Sequence, residues 1–434
     1  MGKLRKLSVL ALCLGLSSTM AFSQDDDWDM GDWGEEEEAK AYQITGFIEG
    51  ALGTRLSSDP VIDSEGTLRD LRAQIQVDYD LAASRLQFSA DAYYDGVLQQ
   101  SKLQVREAFW QGNLDSVGDW GKNFDVKIGQ QILTWGTGDY IFLNDMFPKD
   151  YQSFFSGRDD EYLKAPSLSA KISGFFDWAN VDFVVTPKFT PDNYINGDYF
   201  SFFSPMAGQN IAPGFDVKSP LKPDSPEYAI RIYKSVGPTE YAAYFYDGFH
   251  KSPNSATPLG EPTFSELQVV GASMITTLGP GLFNAEFALY DSKEDSEGTN
   301  PLIPNSQQRW LIGYKQELAK NFTGSVQWYL ERNDDYDALI ANSPAPQFEI
   351  GRSRIWITQR LMYRALQQTL TLSGFNFFST TDQDGYFKFS ADYSPTDDWR
   401  LSGGFNIFYG DEPFTFFNQF EDASNVFVRY RYFY

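Results

Sequence analysis

From residue 41 onward the chain alternates, and this constrains its fold more than any other feature. In TLRDLRAQIQVDYDL, Thr67 to Leu81, Leu71, Ala73, Ile75, Val77 and Tyr79 occupy one side of a two-residue repeat. Arg72, Gln74, Gln76, Asp78 and Asp80 occupy the other. In SRLQFSADAYYD, Ser84 to Asp95, Leu86, Phe88, Ala90, Ala92 and Tyr94 oppose Gln87, Ser89, Asp91, Tyr93 and Asp95. A repeat of two sends successive side chains to opposite faces of a β-strand, so each segment has an apolar and a polar face.

Eighteen segments show the pattern, near 42–55, 67–80, 84–98, 101–112, 123–134, 166–176, 180–188, 226–236, 239–248, 264–277, 281–291, 307–318, 321–332, 351–364, 367–377, 385–394, 398–409 and 424–434. Their connections alternate too. Long joins at 56–66, 135–165, 189–225, 249–263, 292–306, 333–350 and 410–423 interleave with tight turns such as AAS, DWAN, LGP and SPTDD. Short joins near 99–100 and at 378–384, and a medium one at 113–122, depart from strict alternation. Strands of about 9–11 residues suffice to cross a bilayer when tilted. Hydrocarbon offers no partner to an unpaired backbone group, so a sheet can cross only as a closed barrel. The expected fold is all-β, a transmembrane antiparallel barrel of about 18 strands (16–18 allowed), with short periplasmic turns and long external loops. Its first strand, YQITGFIEGALG, must then pair with its last, NVFVRYRYFY.

Composition agrees. Aromatic residues make up 17% of the chain, mean hydropathy is −0.39, and no run of eighteen apolar residues follows the N-terminal segment. That segment, with Lys3, Arg5 and Lys6 before LSVLALCLGL and SSTMAFS, reads as a signal peptide over 1–23. Cys13 lies within its apolar run behind the bulky Leu12, which disfavours lipidation, and no cysteine follows it. Removing the leader takes away three cations and no anion, deepening a net charge of −24. An exported chain this acidic disfavours nucleic acid as a partner. Residues 24–40 form an acidic tail with Trp28 and Trp33 among its carboxylates, expected to be a disordered periplasmic spacer or a docking peptide for a periplasmic partner. The barrel is assigned to 41–434, and the expected location is the bacterial outer membrane.

Function in such a barrel lies on the inward face and the loops. Inward phase gives Arg352, Arg354, Arg360 and Arg364 along one strand, with Trp356 and Thr358, and Arg309, Lys315, Lys388, Arg400, Arg429 and Arg431 on others. The N-terminal half contributes Arg72 and acids: Glu49, Asp78, Asp80, Asp91 and Asp95. Two readings follow. A basic wall faces an acidic one across a water-filled lumen and selects ions or dipolar solutes, or the charges pair and brace the interior. Loops 135–165 and 189–225 are long and aromatic, fit either to constrict the pore or to pack as a lid over the rim.

Strands 101–112 and 123–134 are less regular. Val105, Phe109, Ile128 and Ile132 set an outward phase that also turns Glu107 and Gln130 outward, opposite one another. A cross-strand hydrogen bond would lower their cost, or mark a subunit interface. Alternatively, a bulge resets the phase.

The same strands lead into VREAF and VKIGQQILTWGTGDYIFLNDMFPKD. Arg106, Glu107, Ala108, Gly129, Gln131, Trp135, Gly136, Asp139, Asn144 and Asp150 resemble the REA and GxQxxxWGxxD pattern of a poorly characterised family of Gram-negative outer-membrane porin-like barrels, similar in style to phosphate-selective and alginate-export porins. Gln130 stands where that pattern suggests Arg. The resemblance implies a channel without naming its solute.

The leading expectation is a porin for passive diffusion of small polar, anionic or amphiphilic solutes, with no cofactor, no metal and no chemistry. An export or periplasm-anchored barrel is the alternative. A third reading, an outer-membrane hydrolase, would rest on His250, the single histidine, near Asp247. DNYINGD at 192–198 lacks the spacing of a calcium loop. The remaining expected partners are outer-membrane lipid, a second copy of the chain, and the barrel-insertion machinery, whose recognition signal the aromatic ending at Tyr434 resembles. In that ending Val426, Val428, Tyr430, Tyr432 and Tyr434 should face lipid, and Phe427, Arg429, Arg431 and Phe433 the lumen.

Overall fold

The structure, a computed structural model, describes residues 41–213 and 218–434. The leader and the acidic tail therefore lie outside the described residues. Eighteen strands form one sheet: β1 (Tyr42–Arg55), β2 (Gly66–Leu81), β3 (Ser84–Asp95), β4 (Gln100–Asn113), β5 (Phe124–Gln131), β6 (Ser167–Phe175), β7 (Asn180–Thr186), β8 (Glu227–Val236), β9 (Thr239–Phe249), β10 (Glu266–Leu278), β11 (Gly281–Ser292), β12 (Gln307–Ala319), β13 (Phe322–Asn333), β14 (Ser353–Ala365), β15 (Leu370–Ser379), β16 (Gly385–Tyr393), β17 (Trp399–Tyr409) and β18 (Asn425–Phe433). Each pairs antiparallel with the next. β18 returns to β1 in the register Phe47↔Phe433 to Arg55↔Asn425, so the sheet closes. No helix among the described residues is long and apolar enough to cross a membrane, which leaves crossing by strands untouched.

The alternation places side chains as expected. Ile44, Ile48 and Leu52 are exposed on the outer face of β1, while Glu49 between them is buried. In β18, Val426, Val428, Tyr430 and Tyr432 are exposed, as is Tyr434 beyond its end, whereas Phe427, Arg429 and Arg431 are buried. The final residue completes the closure. Its backbone exchanges two hydrogen bonds with Gly46, of 3.1 and 3.0 Å. Its ring lies over that glycine, and its hydroxyl donates to the Gln74 carbonyl at 2.9 Å.

One expectation fails at β4. Ser89 pairs with Glu107 but Ala90 pairs with Val105, so Arg106 is an extra residue, a β-bulge. Val105 is therefore exposed while Phe109 is buried, and the two do not share a face. β4 meets β5 in the register Ala108↔Gln130 and Phe109↔Gly129, one residue from the expected pairing, and β5 ends at Gln131, before Ile132. Glu107 consequently accepts from Gln87 at 2.8 Å and lies 3.8 Å from Lys127; it makes no bond to Gln130. Gln130 keeps its outward register, opposite Ala108 and Leu168.

The barrel interior holds a second apolar core. Leu143, Phe154 and Phe155 from residues 132–166, and Tyr199 and Phe200 from 187–226, pack with Tyr329, Trp356, Phe375, Phe377, Tyr386 and Phe408 of the wall. Phe155 sits at its centre, with ring centroids 5.1–6.3 Å from Phe200, Tyr386, Phe408 and Phe420. Each such pair adds about 0.5–1.5 kcal/mol beyond area burial.

Gly46 and Gly50 occupy the same outward row of β1 but differ in surroundings. A Cβ on Gly46 would lie 2.2 Å from the Gln74 carbonyl oxygen and 2.7 Å from the Tyr434 hydroxyl, whereas one on Gly50 meets nothing within 4 Å. Gly46→Ala is expected to lower the unfolding free energy by about 1–3 kcal/mol, read as loss of the compact unboiled band on a denaturing gel, with Gly50→Ala unchanged. Equal behaviour of the two variants would refute this account of the closure.

Candidate functional site

Residues 132–166 leave β5, cross the lumen and return to β6. Their wall partners occur all around the barrel, which defines the site. Two glycines begin the crossing. Gly136 has φ +82°, and a Cβ there would lie 3.2 Å from a Glu286 carboxylate oxygen; a Cβ on Gly138 would lie 2.2 Å from the Ile141 carbonyl. Between them the chain lays its N–H groups on Glu286 of β11. That buried carboxylate accepts from Thr137 N, from Thr137 Oγ1 at 2.9 Å, from Gly138 N at 2.8 Å and from Asn144 Nδ2 at 2.7 Å.

Beyond this point Asp139 N donates to Gln327 Oε1 at 2.9 Å, and the Asp139 carboxylate pairs with Arg360 at 3.0 Å. The Arg360 guanidinium also lies 4.4 Å from the centre of the Tyr140 ring. Tyr290 donates to the Leu143 carbonyl at 2.6 Å. A short helix, α1 (Tyr151–Ser156), follows; Asp150 caps its N-terminus by accepting from Ser153 N at 2.7 Å, and Gly157, at φ +89°, ends it against Phe427. Asn406 and Asn425 of β17 and β18 donate to the Phe155 carbonyl.

The acidic stretch Arg158–Glu161 completes the circuit. Arg158 binds Asp70 at 2.7 Å, Asp159 binds Arg429 at 2.8 Å, Asp160 pairs with Lys388, and Glu161 binds Arg431 at 2.8 Å. Arg106, the bulge residue, donates to the Glu161 carbonyl at 2.9 Å. Burial alone would raise the Asp159 and Asp160 carboxyls. For Asp159 the Arg429 and Arg431 guanidiniums outweigh burial and hold it well below the usual range, and for Asp160 Lys388 outweighs burial and lowers it. Their contribution is thus present above the ordinary aspartate range and fades only as pH falls through the lowered values. In Glu161 and Asp139 burial wins over Arg431 and Arg360, and both carboxyls are raised.

The crossing separates two chambers. On the long-loop side a cavity of 340 Å³ is lined by Tyr140, Phe154, His250, Arg309, Glu331, Arg354 and Trp356, among others. On the tight-turn side a pocket of 290 Å³ is lined by Lys315, Glu317, Arg360, Met362 and Arg364. A third pocket, of 650 Å³, opens among the external loops and shares Tyr151, Phe155, Ser252 and Phe416 with the first.

The expected inward residues sort as follows. Arg309, Arg354, Arg360, Lys315, Arg364, Lys388, Arg429 and Arg431 all belong to the interior. Arg400 lies 5.2 Å from the Phe433 ring, and Arg72, Asp78 and Asp91 are buried on the inner face, Arg72 paired with Asp91. Arg352 does not belong. It is exposed at the rim, 2.6 Å from Asp337 of an external helix, α2 (Tyr336–Asn342), because β14 begins only at Ser353. The basic residues do not face acids across open water. Glu49 pairs with Arg431 at 2.8 Å because closure makes β1 and β18 neighbours, Arg309 and Arg354 share Glu331 of β13, and Arg360, Lys388 and Arg429 are met by the crossing segment.

The motif residues form the root of that segment. Gln131 donates to the Ser169 carbonyl at 2.9 Å, and Trp135 packs 5.0 Å from Phe147. Gly129 has φ +138° and approaches the Ala108 carbonyl too closely for a Cβ. Glu286, Gln327, Asp70 and the Arg158–Glu161 run were missed. Glu286 had a signal in GLFNAEFALYDS, as a carboxylate in lumen phase. Among the described residues His250 lacks the partners of a catalytic base: its Nε2 has no hydrogen-bond partner there, and Asp247 pairs with Lys293 at 3.1 Å. Asp192 of DNYINGD instead accepts from Lys149 N and Ser252 Oγ.

Residues 94–309 match a family model described as a protein of unknown function, DUF1302. No curated protein matches the chain. Solved structures similar to the barrel include a Rhodopseudomonas blastica porin (10% identity, 91% of this chain and 100% of that chain, TM-score 0.39). Others are Vibrio cholerae OmpT in a trimer form (12%, 91% and 99%, 0.39) and Salmonella typhi OmpF in complex with daunomycin (10%, 91% and 97%, 0.43).

Two measurements test the site. Glu286→Ala strips a charged acceptor from four donors and is expected to loosen the crossing by roughly 2–4 kcal/mol. Hydrogen exchange at Thr137 and Gly138 should quicken by at least about tenfold, and unchanged exchange would remove Glu286 from this role. His250, lowered to about 3 by burial and then by Arg309, should stay neutral where an unfolded chain takes up a proton near pH ~6.5. Its share of stability is then lost as pH falls from there toward about 3. The single histidine NMR signal should show no titration at neutral pH, and a midpoint at the unfolded value would overturn its burial.

Proposed function

We propose that the chain is a channel of the bacterial outer membrane, a porin-like barrel through which small polar, anionic or amphiphilic solutes diffuse passively. The observation that carries this reading is the closed barrel, apolar outside and charged within, whose lumen is crossed but not filled by residues 132–166. A belt of exposed Ile, Leu, Val and aromatic side chains suits hydrocarbon and would be an aggregation surface in water. Export by the leader, insertion signalled by the C-terminal aromatic row, and docking of a periplasmic partner on the acidic tail complete the proposal.

A solute coming from outside would meet an aromatic pocket, then the chamber around Arg309 and Arg354, then the partition at Asp139–Tyr140, then a vestibule with Lys315, Arg360 and Arg364. Arg360 is paired with Asp139, but the vestibule as a whole keeps an excess of cations in Lys315 and Arg364, which favours anions. The pinned crossing also favours a second reading, a conduit that opens only with a partner.

Reversal potentials in planar bilayers test both. The native chain should prefer anions, and joint replacement of Arg360 and Arg364 by Gln should reduce the anion-to-cation ratio by a few-fold, roughly. Unchanged selectivity would take the vestibule out of the path. A native chain that conducts nothing, beside a Glu286→Ala variant that does, would select the partner-opened conduit.

A further inference from the structure

The chamber on the long-loop side is built unlike a water-filled passage. Aromatic rings make up much of its wall, including Tyr140, Phe154, Tyr329, Trp356 and Phe377. At one end Arg309 and Arg354 share a single carboxylate. Glu331 lies 2.9 Å from Arg354 and 3.4 Å from Arg309, and its second oxygen also accepts the Tyr329 hydroxyl at 2.8 Å. Two guanidiniums over one carboxylate leave an excess positive charge in a buried setting, which is costly until an anion meets it.

Among the described residues no other acid forms an ion pair with either arginine, and Asp192, a lining carboxylate without an ion pair of its own, lies by Lys149 and Lys251 instead. Lys149 pairs with Asp145 at 3.0 Å, Lys251 pairs with Glu227, and Asp192 accepts from Lys149 N and Ser252 Oγ. Asp384 takes the Phe417 N–H at 2.6 Å and forms an ion pair with neither arginine. Polar atoms with no hydrogen-bond partner among the described residues collect at this end instead: Arg354 Nε, Trp356 Nε1 and His250 Nε2. Trp356 is 9% exposed and Arg354 8%. A buried indole N–H without an acceptor is uncommon and costs about 1–3 kcal/mol. The Arg354 guanidinium stands 4.7 Å from the Trp356 ring centre, so the vacant donors are adjacent.

We infer that this chamber is a binding site for a monocarboxylate with a flat apolar or aromatic body, its carboxylate on Arg354 and the Trp356 N–H and its body among the rings. A ligand of this class supplies one negative charge and acceptors that these enclosed donors meet once the Arg354 and Trp356 side chains turn toward the cavity, and its remainder needs only apolar walls. The cavity of 340 Å³ falls in the range of small-molecule sites. The inference rests on the channel reading for its purpose, but the site is defined by its own residues.

The test uses the full chain in non-ionic detergent and calorimetric titration with 4-phenylbutyrate, 4-phenylbutanamide and 4-phenylbutylamine. The carboxylate should bind saturably at one site per chain, the amide about tenfold or more weakly, and the amine not measurably. Trp356→Phe, which keeps a ring and removes the N–H, should weaken the carboxylate by a few-fold, roughly, and Arg354→Gln by about tenfold or more. Arg352→Gln, at the rim, should have no effect. Equal binding of carboxylate and amide, no saturable binding, or full retention in both Trp356→Phe and Arg354→Gln would overturn the site. Each variant is first shown to keep the compact unboiled band. Specific binding by a chain that never conducts would leave the site standing and refute the channel, while conductance without such binding would do the reverse.

Discussion

A sheet that faces hydrocarbon, as the proposed membrane location requires, cannot leave a backbone N–H or C=O unpaired, and the rest of this molecule depends on that constraint. It requires β1 and β18 to join, and it sets Tyr434 over Gly46. It also fixes the width of the ring. Eighteen strands enclose more space than wall side chains can fill, so the interior must hold water or polypeptide. Here residues 132–166 and the stretch around Tyr199 and Phe200 enter it and build a second apolar core inside the first enclosure. The barrel thus has an apolar outer face and an inner face that is polar at some heights and aromatic at others.

The ion pairs of the interior decide position more than stability. Buried pairs often do no better than apolar side chains of equal size, because desolvation offsets attraction, but a lone buried charge is heavily penalised. Asp159, Asp160 and Glu161 meet Arg429, Lys388 and Arg431 in one arrangement. Displacing the segment by one residue would strand several charges together, so the pairs act as a register for the crossing. Glu286 fixes the other end by accepting from Thr137 and Gly138 of WGTGD and from Asn144. The residues that resemble a porin-family motif are largely those that root this segment and turn it inward.

Much of the barrel was legible in the sequence because two solvents enforce the alternation. A strand with lipid on one side and the lumen on the other has little freedom in phase, so all eighteen were visible, and nearly all the expected inward cations lie inside. The failures were local or long-range. The bulge at Arg106 inserts a residue without changing composition, so Val105 and Phe109 looked like one face. Arg352 lay one residue beyond a strand end, where phase stops carrying meaning. The inward path of 132–166 required knowing which acids meet which arginines, and strand periodicity says nothing about that choice. The acids were visible as RDDE, and the cations as an inward set, but their meeting belongs to three dimensions.

The pairing of Asp159 with Arg429 joins residues 270 positions apart, and that of Glu49 with Arg431 joins residues 382 apart. Both arginines lie on β18, the strand whose pairing with β1 closes the ring. The segment across the lumen therefore has its full set of partners only when β18 is in place. Closure and interior are coupled through one strand, and a chain truncated before Asn425 would lose the seam and part of the docking of its interior together.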